Sequence, residues 1–258
     1  MNALVLLGII LYVLMRWIGG EKGSRSFFAL FLNFIVLFFT IIFMINPHFN
    51  PIILTVVACV IISCINLFYI NEINIKTVTA FVSSIITISI LLVVIVLVTD
   101  RAMIQGFSEE EINEIAVFSI YLGVDFVKIG ASVIIMSTIG AITDIAISIS
   151  SPMHEMIKHH PSIKKRELFL SGITIGRDLL GTSANTLFFA FFGGYLALLI
   201  WFKDLDYSIG QIANSKVFSA EMITIFSAGI GVALVIPLTA WITATVFIKQ
   251  REKNESVN

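Results

Sequence analysis

The sequence predicts an all-α fold: a polytopic membrane helix bundle with about seven transmembrane helices. Apolar residues make up 58% of the 258 residues and charged residues only 13%, whereas soluble domains are roughly 45–50% apolar and about 25% charged. The apolar runs are long and unbroken, unlike the roughly ten-residue alternating strands of a membrane barrel. A net charge of −1 does not indicate nucleic acid as a partner. The predicted environment is the lipid bilayer.

Seven segments are long enough to cross a membrane, since a spanning helix needs about 20 mainly apolar residues. They are residues 2–19, 27–45, 51–70, 77–99, 126–149, 180–202 and 222–248. Residues 1–250 are therefore predicted to form a single transmembrane domain, followed by a cytoplasmic tail at 251–258. Cys59 and Cys64 lie in the third segment, about 140° apart around a helix, and are predicted to be packing residues.

Lys and Arg in the connecting segments predict the orientation of the helices. Twelve of the 16 lie after the first, third and fifth helices and at the C-terminus: Arg16, Lys22, Arg25, Lys76, Lys158, Lys164, Lys165, Arg166, Arg177, Lys249, Arg251 and Lys253. The other side receives only Arg101, Lys128, Lys203 and Lys216. This bias predicts an outside N-terminus and a cytoplasmic C-terminus.

Residues 108–122 are predicted to form an amphipathic helix on the outer surface. Ser108 and Glu111 have the spacing of a capping box, and Ile112 and Ile115 share an apolar face. The acids of this segment could attract cations or could simply form a solvated face.

The segment 150–177 is predicted to form an elbow along the inner membrane surface. Pro152 and Pro161 bracket a short stretch, because each proline disfavours helix in the residue before it, and a new helix starts near Glu167. Histidines in such a place can bind a transition metal, can sense pH, or can be only solvated. The titratable residues of the first part of the elbow are His154, Glu155, His159 and His160.

Asp144 is the residue that most needs an explanation, because it lies within the apolar run of the fifth helix. A carboxylate at the centre of a spanning helix costs roughly 2.5–3.5 kcal/mol and usually faces a bundle interior or a water-filled cavity. Small and polar residues share its face at three- and four-residue steps, namely Ser137, Gly140, Ser148 and Ser151. The stripe predicts a polar pathway or an ion site. The alternative is a structural Asp that is hydrogen-bonded to a neighbouring helix.

A second polar stripe is predicted on the sixth helix, with Asp178 at about the depth of Asp144. It consists of Thr174, Asp178, Thr182 and Asn185, while Arg177 points about 100° away and is predicted to anchor the helix to headgroups. Hard divalent ions prefer oxygen ligands, and the candidate metal ligands are Asp144, Asp178, Glu155 and His154. The two aspartates could instead share a proton.

The sequence lacks the motifs of the common enzyme classes: HExxH, GxSxG, a phosphate-binding glycine loop and CxxC. An intramembrane aspartyl protease would use two membrane acids, but "IGRD" is not the GxGD of such proteases. The protein is therefore predicted not to be an enzyme. No cofactor is predicted, except that a divalent metal ion could be the substrate.

Three stretches together resemble the YibE/F-like family of bacterial multi-pass membrane proteins: "IGAITDIAISISSPMHEM", "KRELFLSGITIGRDLLGTSANTLFFAFFGG" and "IPLTAWITATV". The chain has the size of the YibF-type member. The resemblance covers roughly residues 125–248, while residues 1–100 match only in being hydrophobic. It implies a place in the bacterial cell membrane. The family motifs fall on Asp144, Ser148 and Ser151, and on Gly176, Arg177, Asp178, Gly181 and Asn185.

The function that the resemblance implies is that of a transporter or permease for an inorganic cation, with manganese or another divalent metal favoured. Its pathway would be lined by Asp144, Ser148, Ser151, Asp178, Thr182 and Asn185. A homodimer or a pair with a YibE-type membrane partner is expected. The alternative is a non-transporting accessory subunit that assembles with a YibE-type partner.

Overall fold

A computed structural model describes residues 3–102, 125–204 and 206–255 of the chain. Its elements are α1 (Ala3–Met44), α2 (Pro51–Cys64), a π-helical turn (Ile65–Tyr69), α3 (Ile75–Ala102), α4 (Phe126–His159), α5 (Lys165–Gly194), α6 (Leu196–Asp204), α7 (Ile209–Asn214) and α8 (Lys216–Glu255). No strand occurs in these ranges, so the all-α prediction is confirmed for them. The predicted amphipathic helix at 108–122 lies outside the described residues.

The helix α1 consists of two antiparallel arms that meet at Gly20. This residue has φ 59° and ψ −134°, a conformation that a residue with a Cβ rarely adopts. The Tyr12 ring packs 5.1 Å from the Phe27 ring, which requires the chain to double back between them. The two arms correspond to the predicted segments 2–19 and 27–45.

Five helices of the described chain are long and apolar enough to cross a membrane, by length and composition: α1, α2 with its π-helical turn, α3, α4 and α8. The helix α5 is more polar, because its 30 residues include Lys165, Arg166, Glu167, Arg177, Asp178 and Asn185. A helical membrane protein is therefore what the structure supports. The count of seven crossings stays a prediction.

The four basic segments of the sequence lie at one end of the bundle, which we call the basic end. Arg25, just after the turn of α1, pairs with Glu72 before α3 at 2.8 Å. Ser150 near the end of α4 donates to the Lys76 carbonyl at 2.7 Å, and Arg251 of α8 donates to carbonyl oxygens of the loop between α4 and α5. These contacts place the basic segments together, as the charge bias predicts. The side of the membrane on which they lie stays a prediction.

The opposite end, which we call the far end, holds the α1–α2 loop and the start of α4. Asn50 caps α2 by accepting a first-turn N–H at 3.0 Å, and Asp125 caps α4 by accepting the Lys128 N–H at 3.2 Å. Lys216 at the start of α8 donates to the carbonyl of Ala102 at the end of α3, at 3.1 Å. The long helices α2, α3, α4, α5 and α8 therefore alternate in direction between the two ends.

The elbow predicted for residues 150–177 is wrong at Pro152, whereas the new helix predicted near Glu167 is confirmed, since α5 begins at Lys165. The helix α4 continues through Pro152, and α5 begins after the short loop 160–164. A proline removes one backbone donor, but Pro152 is exposed near the end of a 34-residue helix, and the helix continues without that bond. Pro161 lies in the loop, where its effect on the preceding residue agrees with the prediction.

The predicted sixth segment, 180–202, is also interrupted. The helix α5 ends at Gly194, and Tyr195 separates it from α6. The Tyr195 hydroxyl donates to Glu221 Oε1 of α8 at 2.6 Å, which fixes the break against the neighbouring helix. Glycine is about 1 kcal/mol less favourable than alanine within a helix, and this is the local reason why α5 ends at Gly194.

The core lies where α3, α4 and α8 pack against one another. Leu91 of α3 and Ile142 of α4 meet at Gly231 of α8, where an added Cβ would clash with both side chains. The core also buries many hydroxyl groups, on Thr77, Thr79, Ser83, Ser84, Thr87, Thr143, Ser150, Thr239 and Thr243. Most of these donate to a carbonyl three or four residues back in their own helix, as hydroxyls in apolar helices commonly do.

Candidate functional site

One narrow strip of α4 is open, and this strip is polar. The helix packs against α2, α3, α5 and α8, so most of its circumference is covered. Within positions 129–151 the exposed residues are Val133, Ser137, Asp144 and Ser148. Gly140 lies between them, with open space where a Cβ would be. The sequence stripe around Asp144 is therefore the one open surface of this stretch of α4.

The composition of this strip differs from that of the other open surfaces. The exposed faces of the first three helices carry large apolar side chains such as Phe31, Phe38, Val57, Val93 and Leu97. Such surfaces suit hydrocarbon, whereas a carboxylate facing hydrocarbon is costly. The strip of α4 is thus suited to water, an ion or another protein.

Asp144 has no side-chain hydrogen bond or ion pair with the described part of the chain. The Ser137 hydroxyl donates to the Ile134 carbonyl at 2.8 Å, so it has a hydrogen-bond partner within its own helix. Among the described residues, no donor uses the acceptor positions of the Asp144 carboxylate. The structure therefore gives no support to a bond from Asp144 to a neighbouring helix of the same protomer.

The second predicted stripe, on α5, is exposed as well. Thr174, Asp178, Thr182 and Asn185 all lie open. Two of them, Thr174 and Thr182, donate to carbonyls of their own helix at 3.1 and 3.0 Å. The packed face of α5 lies elsewhere, at its buried residues Leu168, Gly172 and Gly176. An added Cβ at Gly172 would clash with Met153 and Ala240, and one at Gly176 with Ile236.

The directions of Asp144 and Asp178 follow from the way in which their helices contact α8. Ile142 of α4 packs against α8 in the core, and Gly176 of α5 packs against α8 at Ile236. Each acid follows its contact residue by two positions, which is about 200° around a helix. Both acids therefore point away from α8. The helices α4 and α5 also pack against each other, and we call their two open stripes together the polar face.

The two acids also lie at similar heights along the bundle. Their helices contact α8 at Gly231 and Ile236, five residues and about 7.5 Å apart. Because α4 and α5 run in opposite directions, each two-residue step from the contact residue to the acid reduces that difference by about 3 Å. Asp144 and Asp178 are therefore within about 5 Å of one another in height. The similar height agrees with the predicted depth of the two acids; that they share one site and bind a cation stays a prediction.

The two other predicted metal ligands lie near the basic end and have different neighbours. Glu155 Oε1 forms an ion pair with Lys158 Nζ at 2.9 Å. The centroids of the His154 and Phe247 rings lie 5.1 Å apart. Among the described residues, no three His, Cys, Asp or Glu side chains form a group that could hold a metal ion. A divalent ion at the polar face would need further ligands from hydroxyls, an amide or a second chain.

A pocket of about 430 Å³ opens at the far end, and no sequence pattern predicts it. Its lining comes from the α1–α2 loop and the start of α4: Met44, Asn46, Pro47, His48, Phe49, Asn50, Pro51, Asp125 and Lys128. Asp125 and Lys128 form an ion pair at 2.9 Å. Burial raises the pKa of Asp125, but hydrogen bonds and the charge of Lys128 outweigh it, so this pKa lies below its usual range. The lining residues share no motif or periodicity that would join them in sequence.

Thr239 and Thr243 are a second feature that the sequence did not reveal. Both side chains are fully buried, and neither hydroxyl has a hydrogen-bond partner within the described residues. A buried hydroxyl left in this state costs about 1–3 kcal/mol. The two residues lie one helical turn apart on α8, so the cost is concentrated at one point of the core.

The fold and the polar face define a helical membrane protein with two acids on an open surface between its apolar helices. The family described as YibE/F-like protein matches residues 7–249, and the chain belongs to this family. The match extends over the first 100 residues, where the sequence motifs alone show only hydrophobicity. Comparisons with curated proteins and with solved structures found no match.

Proposed function

We propose that the protein is a permease for an inorganic cation, with Mn²⁺ or another divalent metal ion as the favoured substrate. The observation that supports the proposal is the polar face, where Asp144 and Asp178 are both exposed and point away from α8 at similar height. Unpaired acids among apolar helices usually mark a substrate or ion pathway. The charge of these acids requires a cation or a proton for compensation, and a permeating ion provides it.

The residues of the polar face have distinct roles in this proposal. Asp144 and Asp178 supply carboxylate oxygens, which hard divalent ions such as Mn²⁺ prefer. Ser148, Thr182 and Asn185 supply neutral oxygens along the pathway. Ser151, which is half-buried, continues the line toward the basic end.

The proposed setting is the bacterial cell membrane, with the basic end in the cytoplasm and the N-terminus outside. The clustering of the basic segments at one end supports this orientation, because cytoplasmic loops carry an excess of Lys and Arg. A reporter fused after Val257 should show a cytoplasmic location. A periplasmic or extracellular signal there would reverse the orientation.

Uptake of Mn²⁺ by proteoliposomes, measured per folded protein, tests the function directly. Asp144→Asn should abolish most of the uptake while expression is kept, because the amide retains size but loses charge. The matched control is Asp125→Asn, which removes an acid from the far end and should leave uptake close to that of the wild type. Wild-type uptake by Asp144→Asn would place the pathway elsewhere.

A non-transporting accessory subunit is the second candidate, and the uncovered state of the polar face favours it. A YibE-type partner could cover that face and bond to Asp144. In that case the purified protein alone should show no uptake of any tested cation. Asp144→Asn would instead reduce co-purification of the partner.

A further inference from the structure

We infer that the far-end pocket binds a phosphate ester, through N–H donors of the α1–α2 loop and of Lys128 at the start of α4. The pocket has a volume of about 430 Å³, within the range of about 300–1,000 Å³ that is usual for small-molecule sites. The inference is independent of the proposed function, because no residue that lines the pocket belongs to the polar face. It assigns a binding site and the chemical class of its ligand.

The first argument concerns the amide groups of the pocket, which keep their donors available. Asn46 Oδ1 accepts the His48 N–H at 3.1 Å, and Asn50 Oδ1 accepts the Ile52 N–H at 3.0 Å. These two bonds fix which side of each amide is the oxygen. Neither Nδ2 group has a hydrogen-bond partner among the described residues. Each of these two lining residues therefore keeps two N–H bonds for a ligand.

The charged residues of the pocket lead to the same conclusion. Asp125 is the one acid among the described residues of its lining. Asp125 Oδ1 accepts the Lys128 backbone N–H at 3.2 Å, and Oδ2 pairs with Lys128 Nζ at 2.9 Å, so the acid is offset. An ammonium group has three donors, and the pair with Asp125 uses one of them. The His48 ring adds at least one further N–H, so donors come from both walls of the pocket.

A ligand that complements this lining carries acceptors and a negative charge. A phosphate ester presents several strong acceptor oxygens, and it binds lysine through charge-assisted hydrogen bonds. The pocket is larger than a bare phosphate group requires, and part of its lining is apolar, as at Met44 and Phe49. An organic group attached to the phosphate can pack against these side chains. This favours an ester over the inorganic ion.

The loop that forms one wall of the pocket is already ordered without a ligand. The Phe49 N–H donates to the Asn46 carbonyl at 3.1 Å, and the centroids of the Phe43 and Phe49 rings lie 6.0 Å apart. A site of this kind loses little conformational entropy on binding. Because the pocket lies where the helices end, it is at the level of lipid headgroups. Both a phospholipid and a soluble phosphate ester can therefore reach it.

Two probes test the inference and distinguish these sources, with the whole chain purified in dodecyl maltoside, which contains no phosphate. The soluble probe is sn-glycerol 3-phosphate, with glycerol as its control, and calorimetry measures its binding. The lipid probe is phosphatidylglycerol, with diacylglycerol as its control, and native mass spectrometry measures the bound fraction. At least one phosphate probe should bind and raise the unfolding temperature, whereas its control should not. The probe that binds identifies the source of the phosphate.

Substitutions locate the binding of that probe. Lys128→Gln should weaken it at least about tenfold, the usual effect of losing a hydrogen bond to a charged group, while Lys128→Arg should retain most of it. Asn46→Asp keeps the oxygen that accepts the His48 N–H but replaces the Nδ2 donor with a charged oxygen. It should also weaken binding, and it tests the pocket if Lys128→Gln folds poorly. The matched control is Lys203→Gln, at an exposed lysine of α6 outside the pocket, which should bind like the wild type.

Three results would overturn the inference. They are a wild-type chain that binds neither phosphate probe, binding of the phosphate-free controls as tight as that of the probes, and a loss for Lys203→Gln as large as that for Lys128→Gln. Wild-type binding by Asn46→Asp would likewise place the phosphate outside this pocket. None of these results changes the expected uptake of Mn²⁺, so failure of this site and failure of the permease are observed separately.

Discussion

Thr79 Oγ1 of α3 and Ser150 Oγ of α4 lie 2.9 Å apart in the core. Ser150 also donates to the Lys76 carbonyl at 2.7 Å, so one small side chain joins α4 to the first turn of α3. Ser150 is fully buried, whereas its neighbours Ser148 and Ser151 lie toward the open side of α4. The serines of this segment therefore separate into a structural one and two that belong to the polar face.

Ser150→Ala should lower the free energy of unfolding by about 1–3 kcal/mol, because it leaves buried partners without their hydrogen bonds. Thermal unfolding in detergent measures the effect. Ser89→Ala is the matched control, since Ser89 is exposed and bonds only within its own helix. If the two variants were equally stable, the structural role of Ser150 would be contradicted.

Thr239→Val should leave stability unchanged or raise it by up to about 1 kcal/mol, because valine has nearly the same shape and removes a buried hydroxyl that has no partner. Thr143→Val is the comparison. Thr143 donates to the Ile139 carbonyl at 2.9 Å, so its replacement should destabilise. A loss for Thr239→Val as large as that for Thr143→Val would show that the Thr239 hydroxyl has a partner in the native protein.

Asp144→Asn and Asp178→Asn should each remove most Mn²⁺ uptake, and the double variant should be little worse than either. Residues of one site do not act additively, because the first substitution already removes the shared function. Arg177→Gln should have a milder effect, since Arg177 is exposed beside Asp178 and is predicted to contact headgroups. Losses that multiply in the double variant would mean that the two acids act at separate sites.

Asp125→Asn should lower stability slightly at pH 6, and the difference from the wild type should disappear as the pH falls below about 4. The pKa of Asp125 is held below its usual range in the folded protein, so its contribution exists above the unfolded pKa and is lost through protonation. Because the group is largely exposed, solvent screening keeps the effect below about 1 kcal/mol. Unfolding midpoints across pH 3–7 measure it, and a difference that stays constant with pH would contradict the assignment.

The helix class and most segment positions could be predicted from the sequence, because long apolar runs leave few alternatives in a membrane. The errors occur where one residue was given too much weight. The local preference at Pro152 predicts the end of a helix that in fact continues past it, where packing of its neighbour Met153 in the core overrides that preference. The continuous apolar run 180–202 does not predict the break at Tyr195, where the low helix preference of glycine and the hydrogen bond to Glu221 act together.

The candidate site was predicted in part for a similar reason. Helical spacing places Ser137, Asp144 and Ser148 on one stripe without any tertiary information. The similar height of Asp144 and Asp178, and their direction away from α8, depend on how α4 and α5 both pack on α8, which the spacing along one helix does not contain. The far-end pocket likewise joins two segments about 75 positions apart in sequence.

The open strip of α4 also has a direction. From Asp144 it runs to Ser148, Ser151 and Glu155 in steps of four, three and four residues, about 16 Å of helix that ends at a solvated acid. Toward the far end the strip passes Ser137 and reaches Val133, beyond the last of its polar side chains. We therefore expect water to penetrate to Asp144 from the basic end. Under the proposed function, an ion would then regain its hydration gradually on that side and abruptly on the other. A membrane-impermeant thiol reagent should then label Ser148→Cys faster than Ser137→Cys when it is added at the basic end.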